Sequence, residues 1–279
     1  MLKKVIFWCE FPNKVDWTFL NKTISRLKFN IEIYVASKTL KDFQNIQEKV
    51  TSKYIQLSVW PILDMDKGYW FSGFTEKEDI NSLKQFENLN IKIDLEPPVP
   101  KWKYTNLKII SLAIKQIFKK GKNNDYLKDF IYKLSKKTKV ETVVNNIQLI
   151  INEFPLAKWY LKRQGMYIEP KENMVKNIMC YTTFSGQVLR PLIRIYMSLW
   201  TRRAVRKYKN KVMFSIGLIG PGILKHEKTY KNIEQFKQDL DMINNSGAEK
   251  VAIYSIEGLL KREEPERWLF FIKNYLVSL

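Results

Sequence analysis

The chain has 279 residues, 45% of them hydrophobic and only ten each of Gly and Pro, which excludes a disordered polypeptide and leaves enough apolar material for one large core or two modest ones. Forty-eight Lys and Arg against 28 Asp and Glu leave +20, a charge that attracts nucleic acid or an anionic membrane without identifying either, because Lys is spread through most helical segments beside abundant Asn and Ile, as an AT-rich coding sequence would produce. The only cysteines, Cys9 and Cys180, exclude a disulfide framework and a four-thiolate zinc site and set the expectation of a reducing, cytoplasmic compartment.

In chain order, MLKKVIFWCEF begins basic, but its apolar run is about seven residues long and is broken by Glu10, so it reads as a first strand, Val5–Phe11, and not as a signal peptide. A helix over Trp17–Lys28, capped by Asp16, leads to a strand over Ile31–Ser37, where Ile31, Ile33 and Val35 oppose Glu32, Tyr34 and Ala36. Leu40–Val50 is helical, and Tyr54–Ile62 is a strand with Gln56, Ser58 and Trp60 on one face. An aromatic loop, GYWFSGF at Gly68–Phe74, precedes a helix over Glu76–Glu87 for which Thr75 and Glu78 could form a capping box.

The fourth strand, Ile91–Glu96, sorts its side chains by parity: Ile91, Ile93 and Leu95 share one side, and Lys92, Asp94 and Glu96 share the other. After a rigid Pro97-Pro98-Val99-Pro100 loop, helical patterns run over Tyr104–Lys120 and Tyr126–Lys136. Next come Val140–Asn146, a strand that could instead extend a helix, and a helix over Ile147–Arg163. Val175–Phe184, Val212–Ile219 and Val251–Glu257 complete the strands, with helices over Gln187–Lys209, Thr229–Asn245 and Pro265–Val277 after them.

Eight βα units in roughly 250 to 280 residues match the size and order of an α/β fold of the (β/α)8 TIM-barrel type. No internal repeat, low-complexity segment or linker interrupts the alternation, so one domain over residues 1–279 is expected. The longest apolar helix, around Val188–Trp200, carries Arg190 and Arg194 and falls short of the ~20 residues that cross a bilayer. Its continuation to Lys211 adds Arg202, Arg203, Arg206, Lys207 and Lys209. Such a helix could lie on an anionic membrane or meet a partner, or it could be an ordinary barrel helix with a basic outer face.

Barrels of this type hold their reacting groups at the C-terminal ends of the strands, which here gather Trp8, Glu10, Trp60, Asp94, Glu96, Asn145, Asn146, Tyr181 and Glu257. His226 is the sole histidine, so a two-histidine metal site or a histidine-bearing triad is nearly excluded and carboxyl groups remain as the acid–base equipment. Glycoside cleavage suits that inventory. No cofactor is expected, although carboxylates alone could hold magnesium.

Three segments carry a family resemblance. IKIDLEPP at Ile91–Pro98 resembles the fourth-strand signature, ending in Asp-x-Glu, of the chitinase-like glycoside hydrolases of family 18. IMCYTTFSG at Ile178–Gly186 is similar to their sixth-strand segment, and VAIYSIEGL at Val251–Leu259 to their eighth. The resemblance implies Glu96 as general acid. It implies Asp94 as the group that orients the substrate's own N-acetyl group for attack on the anomeric carbon, and Tyr181 as a hydrogen-bond donor to that acetamide. Tyr254 stands where the family usually places the Trp beneath the sugar.

Two departures from the family pattern stand out. Lys92 occupies the position of a further Asp, roughly 6 to 7 Å along the strand from Asp94. Ser58-Val59-Trp60-Pro61 replaces a small, Gly-rich run. Trp60 and Trp70 are candidate stacking platforms, unless the aromatic loop is simply a lid packed on the rim; Trp8, Glu10, Asn145, Tyr254 and Glu257 complete the expected substrate contacts.

The expected partner is therefore a carbohydrate or glycan, with an anionic membrane surface at the periphery and no specific nucleic acid. Two other readings stay open: a catalytically silent barrel that binds carbohydrate or docks on a partner, and a lyase or isomerase that holds a phosphorylated substrate at the Gly217–Gly222 turn.

Overall fold

In the computed structural model, which describes residues 1–98, 119–144, 155–222 and 227–277, strands and helices alternate from end to end. They are β1 (Lys4–Cys9), α1 (Trp17–Leu27), β2 (Ile31–Ser37), α2 (Leu40–Gln47), β3 (Ile55–Pro61), α3 (Lys77–Asn81), β4 (Ile91–Asp94), α4 (Asn124–Ser135), β5 (Val140–Val144), α5 (Pro155–Arg163), β6 (Met174–Met179), α6 (Gly186–Tyr208), β7 (Val212–Ile216), α7 (Ile233–Asn244), β8 (Lys250–Tyr254), α8 (Ile256–Leu260) and α9 (Pro265–Val277). The eight strands form a closed parallel barrel in sequence order. That is the (β/α)8 architecture which the alternation of patterns predicts.

Contacts along the chain gather into two compact units, one of Met1–Trp60 with Asn177–Leu279 and one of Pro61–Lys176. In the first, β1 pairs with β2 and β8, which sets Trp8 level with Tyr34 on one side and Tyr254 on the other. Helices close over these strands through apolar stripes at helical spacing: Leu20 and Ile24 of α1, Phe236, Leu240 and Ile243 of α7, and Trp268, Leu269 and Ile272 of α9. Each such side chain contributes roughly 1.5 to 3 kcal/mol by leaving water. In the second unit β4 pairs with β5, placing Lys92 opposite Glu141, and α4 covers its own side with Leu127, Ile131 and Leu134.

The strands at the rim are shorter than the patterns predict, and local hydrogen bonding explains where they stop. Val175–Phe184 ends at Met179 because Thr182 and Thr183 turn the chain into a 3-10 segment, their hydroxyls donating to Asp239 at 2.5 Å and to the Gly217 carbonyl at 3.0 Å. Val251–Glu257 ends at Tyr254 because the Ser255 hydroxyl accepts the Gly258 N–H and starts α8. Asp16 caps α1 as predicted, accepting from the Phe19 N–H at 2.9 Å.

Thr75 does not cap α3. Its hydroxyl accepts the Ser72 N–H at 3.0 Å, Glu76 takes the cap position, and the Glu76–Glu87 stretch divides into α3 and a 3-10 segment over Ser82–Phe86. The helical patterns over residues 104–118 and 147–154, together with Asn145, Asn146 and His226, lie outside the described residues.

Candidate active site

Within the first unit, the C-terminal ends of β1, β3 and β8 and the turn after β6 bring together Trp8, Glu10, Trp60, Tyr181, Tyr254 and Glu257. All of these side chains are buried. Register alone puts Trp8 beside Tyr254, and their rings meet edge-on at 5.9 Å. Trp60 lies tilted against Trp8 at 5.8 Å, and Tyr181 against Tyr254 at 6.2 Å. These rings form one contiguous aromatic floor, so Trp60 is a packed member of that floor and not an open platform.

Carboxylates are woven into the floor. The Tyr254 hydroxyl donates to the Glu10 carboxylate. Glu257, in the first turn of α8, accepts the backbone N–H groups of Glu10 at 3.1 Å and Phe11 at 3.3 Å, which ties the end of β1 to the turn after β8. Burial pushes the Glu257 carboxyl up to about 7, with the charge of Glu10 adding to the effect and the backbone donors opposing it. The same two carboxylates, after burial, hold the Tyr254 hydroxyl well above the ordinary range of a tyrosine. Cys9 lies fully buried beside them, its thiol raised first by burial and then by Glu257 and Glu10; Cys180 is likewise buried and raised, with Asp239 contributing.

Glu227 joins this cluster without having been anticipated. Its carboxylate accepts the Gly222 N–H at 2.7 Å, and burial raises it to about 7, with the charge of Glu10 acting in the same direction. It belongs to no strand or helix period. Its only signal in the sequence was to be the first acid after β7.

The Gly217–Gly222 turn is explained by this packing. A Cβ on Gly220 would lie 2.5 Å from the Gly258 Cα, and one on Gly222 would collide with the Tyr254 hydroxyl and approach the Glu227 carboxylate to 2.8 Å. The Gly222 N–H is already taken by the Glu227 carboxyl, so it does not face a ligand position. The reading of a phosphorylated substrate gains no support from this turn.

In the second unit, Lys92 and Asp94 lie buried in β4. The lysine Nζ stands 2.9 Å from Asp94 Oδ1 and 3.1 Å from Oδ2. Strand spacing separates the two backbones, but the four-carbon stem of the lysine closes the gap, so the pair is tighter than the spacing along the strand suggests. Glu96 follows in a half-buried position, its N–H donating to the Phe71 carbonyl at 3.1 Å.

Phe71 in turn donates its N–H to the Asp94 carbonyl at 3.0 Å and bridges to Leu95, which folds the aromatic loop against the end of β4. Tyr69 and Phe71 are buried, while Trp70 is half-buried with its ring edge-on to Tyr69 at 5.6 Å. Much of that loop is therefore a packed lid, with Trp70 its least buried aromatic among these three.

The chain is thus a (β/α)8 barrel with carboxylates and aromatic rings at the C-terminal ends of its strands. Neither a family model nor a curated protein matches the chain. Among solved structures it is similar to the PgaB (BpsB) glycoside hydrolase domain from Bordetella bronchiseptica, with 9% sequence identity, a TM-score of 0.57, and 98% of this chain and 99% of that chain covered. A family 18 chitinase from Crocus vernus also matches, at 13% identity and a TM-score of 0.45, over 98% of this chain and 99% of that one. The likeness to the Bordetella domain shows the fold.

Proposed function

We propose that the protein is a glycoside hydrolase acting on an N-acetylated amino-sugar glycan by substrate-assisted acid catalysis. The observation that carries this reading is in β4: a buried Asp94 gripped by Lys92 at 2.9 Å, followed two residues on by a half-buried Glu96. An ammonium at that distance favours the carboxylate form of Asp94, which suits a group that orients an acetamide and balances positive charge at the anomeric centre.

In this reaction the acetamide oxygen attacks the anomeric carbon, the bond to the departing oxygen breaks, and Glu96 gives that oxygen its proton. Water then opens the cyclic intermediate and returns a proton to Glu96. Within the unit that carries Asp94 and Glu96, the half-buried Trp70 is the aromatic that contacts the sugar. Replacing Glu96 by Gln keeps its shape and removes its proton. Turnover of a chitobiose-type substrate should fall about 10²- to 10⁴-fold with the thermal midpoint unchanged; wild-type turnover by the variant would falsify the assignment.

One observation favours a second reading, a barrel that binds the glycan without cleaving it. Lys92 neutralises Asp94 at the place where the resembling family carries another acid. Calorimetric binding of chitooligosaccharide, with no hydrolysis at any pH at which the fold persists, would decide for that reading.

A further inference from the structure

Helix α6 is amphipathic in the reverse sense for a barrel helix. Its inner face, marked by buried Gly186, Arg190, Met197 and Thr201, carries the polar pairings: Arg190 donates to Gln235 at 2.7 Å and Arg194 to Asp239 at 2.7 Å. The opposite face is apolar and open. Val188, Leu192, Ile195 and Leu199 follow one another at spacings of four, three and four residues, which stacks them on one side of the helix. Their exposures are 89%, 65%, 64% and 57%. Leu189 and Phe184 extend the patch at its N-terminal end.

The expectation of a basic outer face holds only for the last two turns. There Arg202, Arg203 and Arg206 continue the same side of the helix, all exposed, with Lys207, Lys209 and Lys211 beside them. No acid occurs anywhere between Glu172 and Glu227.

We propose that this face of α6 is a docking surface for a bilayer containing anionic lipid, the helix lying along the interface with its leucine and isoleucine side chains among the acyl chains and its arginines at the phosphates. Charge decides between this occupant and a second copy of the chain. Parallel pairing of two α6 helices would set arginine against arginine, and antiparallel pairing would bury arginine against the apolar stripe. In neither case does the helix supply a carboxylate to answer it. A leaflet of anionic lipid offers hydrocarbon and negative charge together. Among the described residues no helix is long and apolar enough to cross a membrane.

The test is co-sedimentation of the full chain with vesicles of phosphatidylcholine alone and of phosphatidylcholine mixed with phosphatidylglycerol, at rising salt. Binding should be at least about tenfold stronger on the anionic vesicles and should fade as salt is added. The Arg202→Gln/Arg203→Gln/Arg206→Gln variant should bind about a hundredfold more weakly, about fivefold for each charge removed. Leu192→Gln/Ile195→Gln/Leu199→Gln should also release the vesicles, and because these side chains are exposed, both variants should keep the wild-type circular dichroism. Absence of binding at low salt, equal binding to neutral vesicles, or a solution dimer that the leucine variant dissolves would each overturn the proposal.

Discussion

Glu257 shows how burial can reset the chemistry of a single residue. In the folded chain its carboxyl titrates at about 7, against an ordinary value of 4.5. The folded state therefore holds this proton more tightly than the unfolded chain does. The resulting stabilisation is complete below about pH 4.5 and is lost as the pH rises through about 7, a loss of roughly 3 kcal/mol. A Gln at this position can still accept the N–H groups of Glu10 and Phe11 but has no proton to lose. Urea unfolding at about pH 5 and about pH 8 should cost the wild type roughly 2 to 3 kcal/mol more than Glu257→Gln, while equal losses would show that burial does not govern this carboxyl. At the same scale, parity made Lys92, Asp94 and Glu96 legible as one column, because a strand's side-chain period is two. The grip of Lys92 on Asp94 was not legible, since a long stem takes its rotamer from surroundings that no strand pattern encodes. Glu227 was hidden for a related reason: loop residues carry no period.

Among the elements, β2 and α9 match their predicted spans, and the order of the others follows the pattern, because β-branched runs and helical stripes are local properties. Their rim ends were not readable. Each is set by a partner far away in sequence, as when Asp239 receives the Thr182 hydroxyl across 57 positions. The turn after β7 and helix α8 are coupled in the same way. Gly220 and Gly258 bring two backbones together so closely that a Cβ on Gly258 would stand 2.6 Å from the Gly220 nitrogen, and Arg262 clamps the turn through the Ile219 and Tyr230 carbonyls. Gly258→Ala should therefore destabilise the fold by about 1 to 3 kcal/mol through overpacking, measured by chemical denaturation. A neutral substitution would mean that the two segments separate without cost.

For the whole molecule, alternation of strands and helices made the (β/α)8 class accessible, but the division of contacts into two units has no counterpart in composition. The charge of +20 is likewise a sum that conceals its placement. Arginines of α6 face both inward, onto Gln235 and Asp239, and outward beyond the apolar stripe, a distribution that counting basic residues could not distinguish from a uniformly solvated helix. Periodicity told where α6 would form, and only the burial of its two sides told which way it turns.

The two interior thiols give the fold a clock of its own. Cys9 sits among carboxylates and Cys180 near Asp239, so neither ionises readily nor meets solvent while the strands stay closed. An aromatic disulfide reagent added in excess should leave native protein colourless and develop its yellow thiolate only as fast as molecules open, so the reaction times the rarest excursions of the barrel without denaturant. Immediate colour from the native protein would show that the wall around these sulfurs breathes locally.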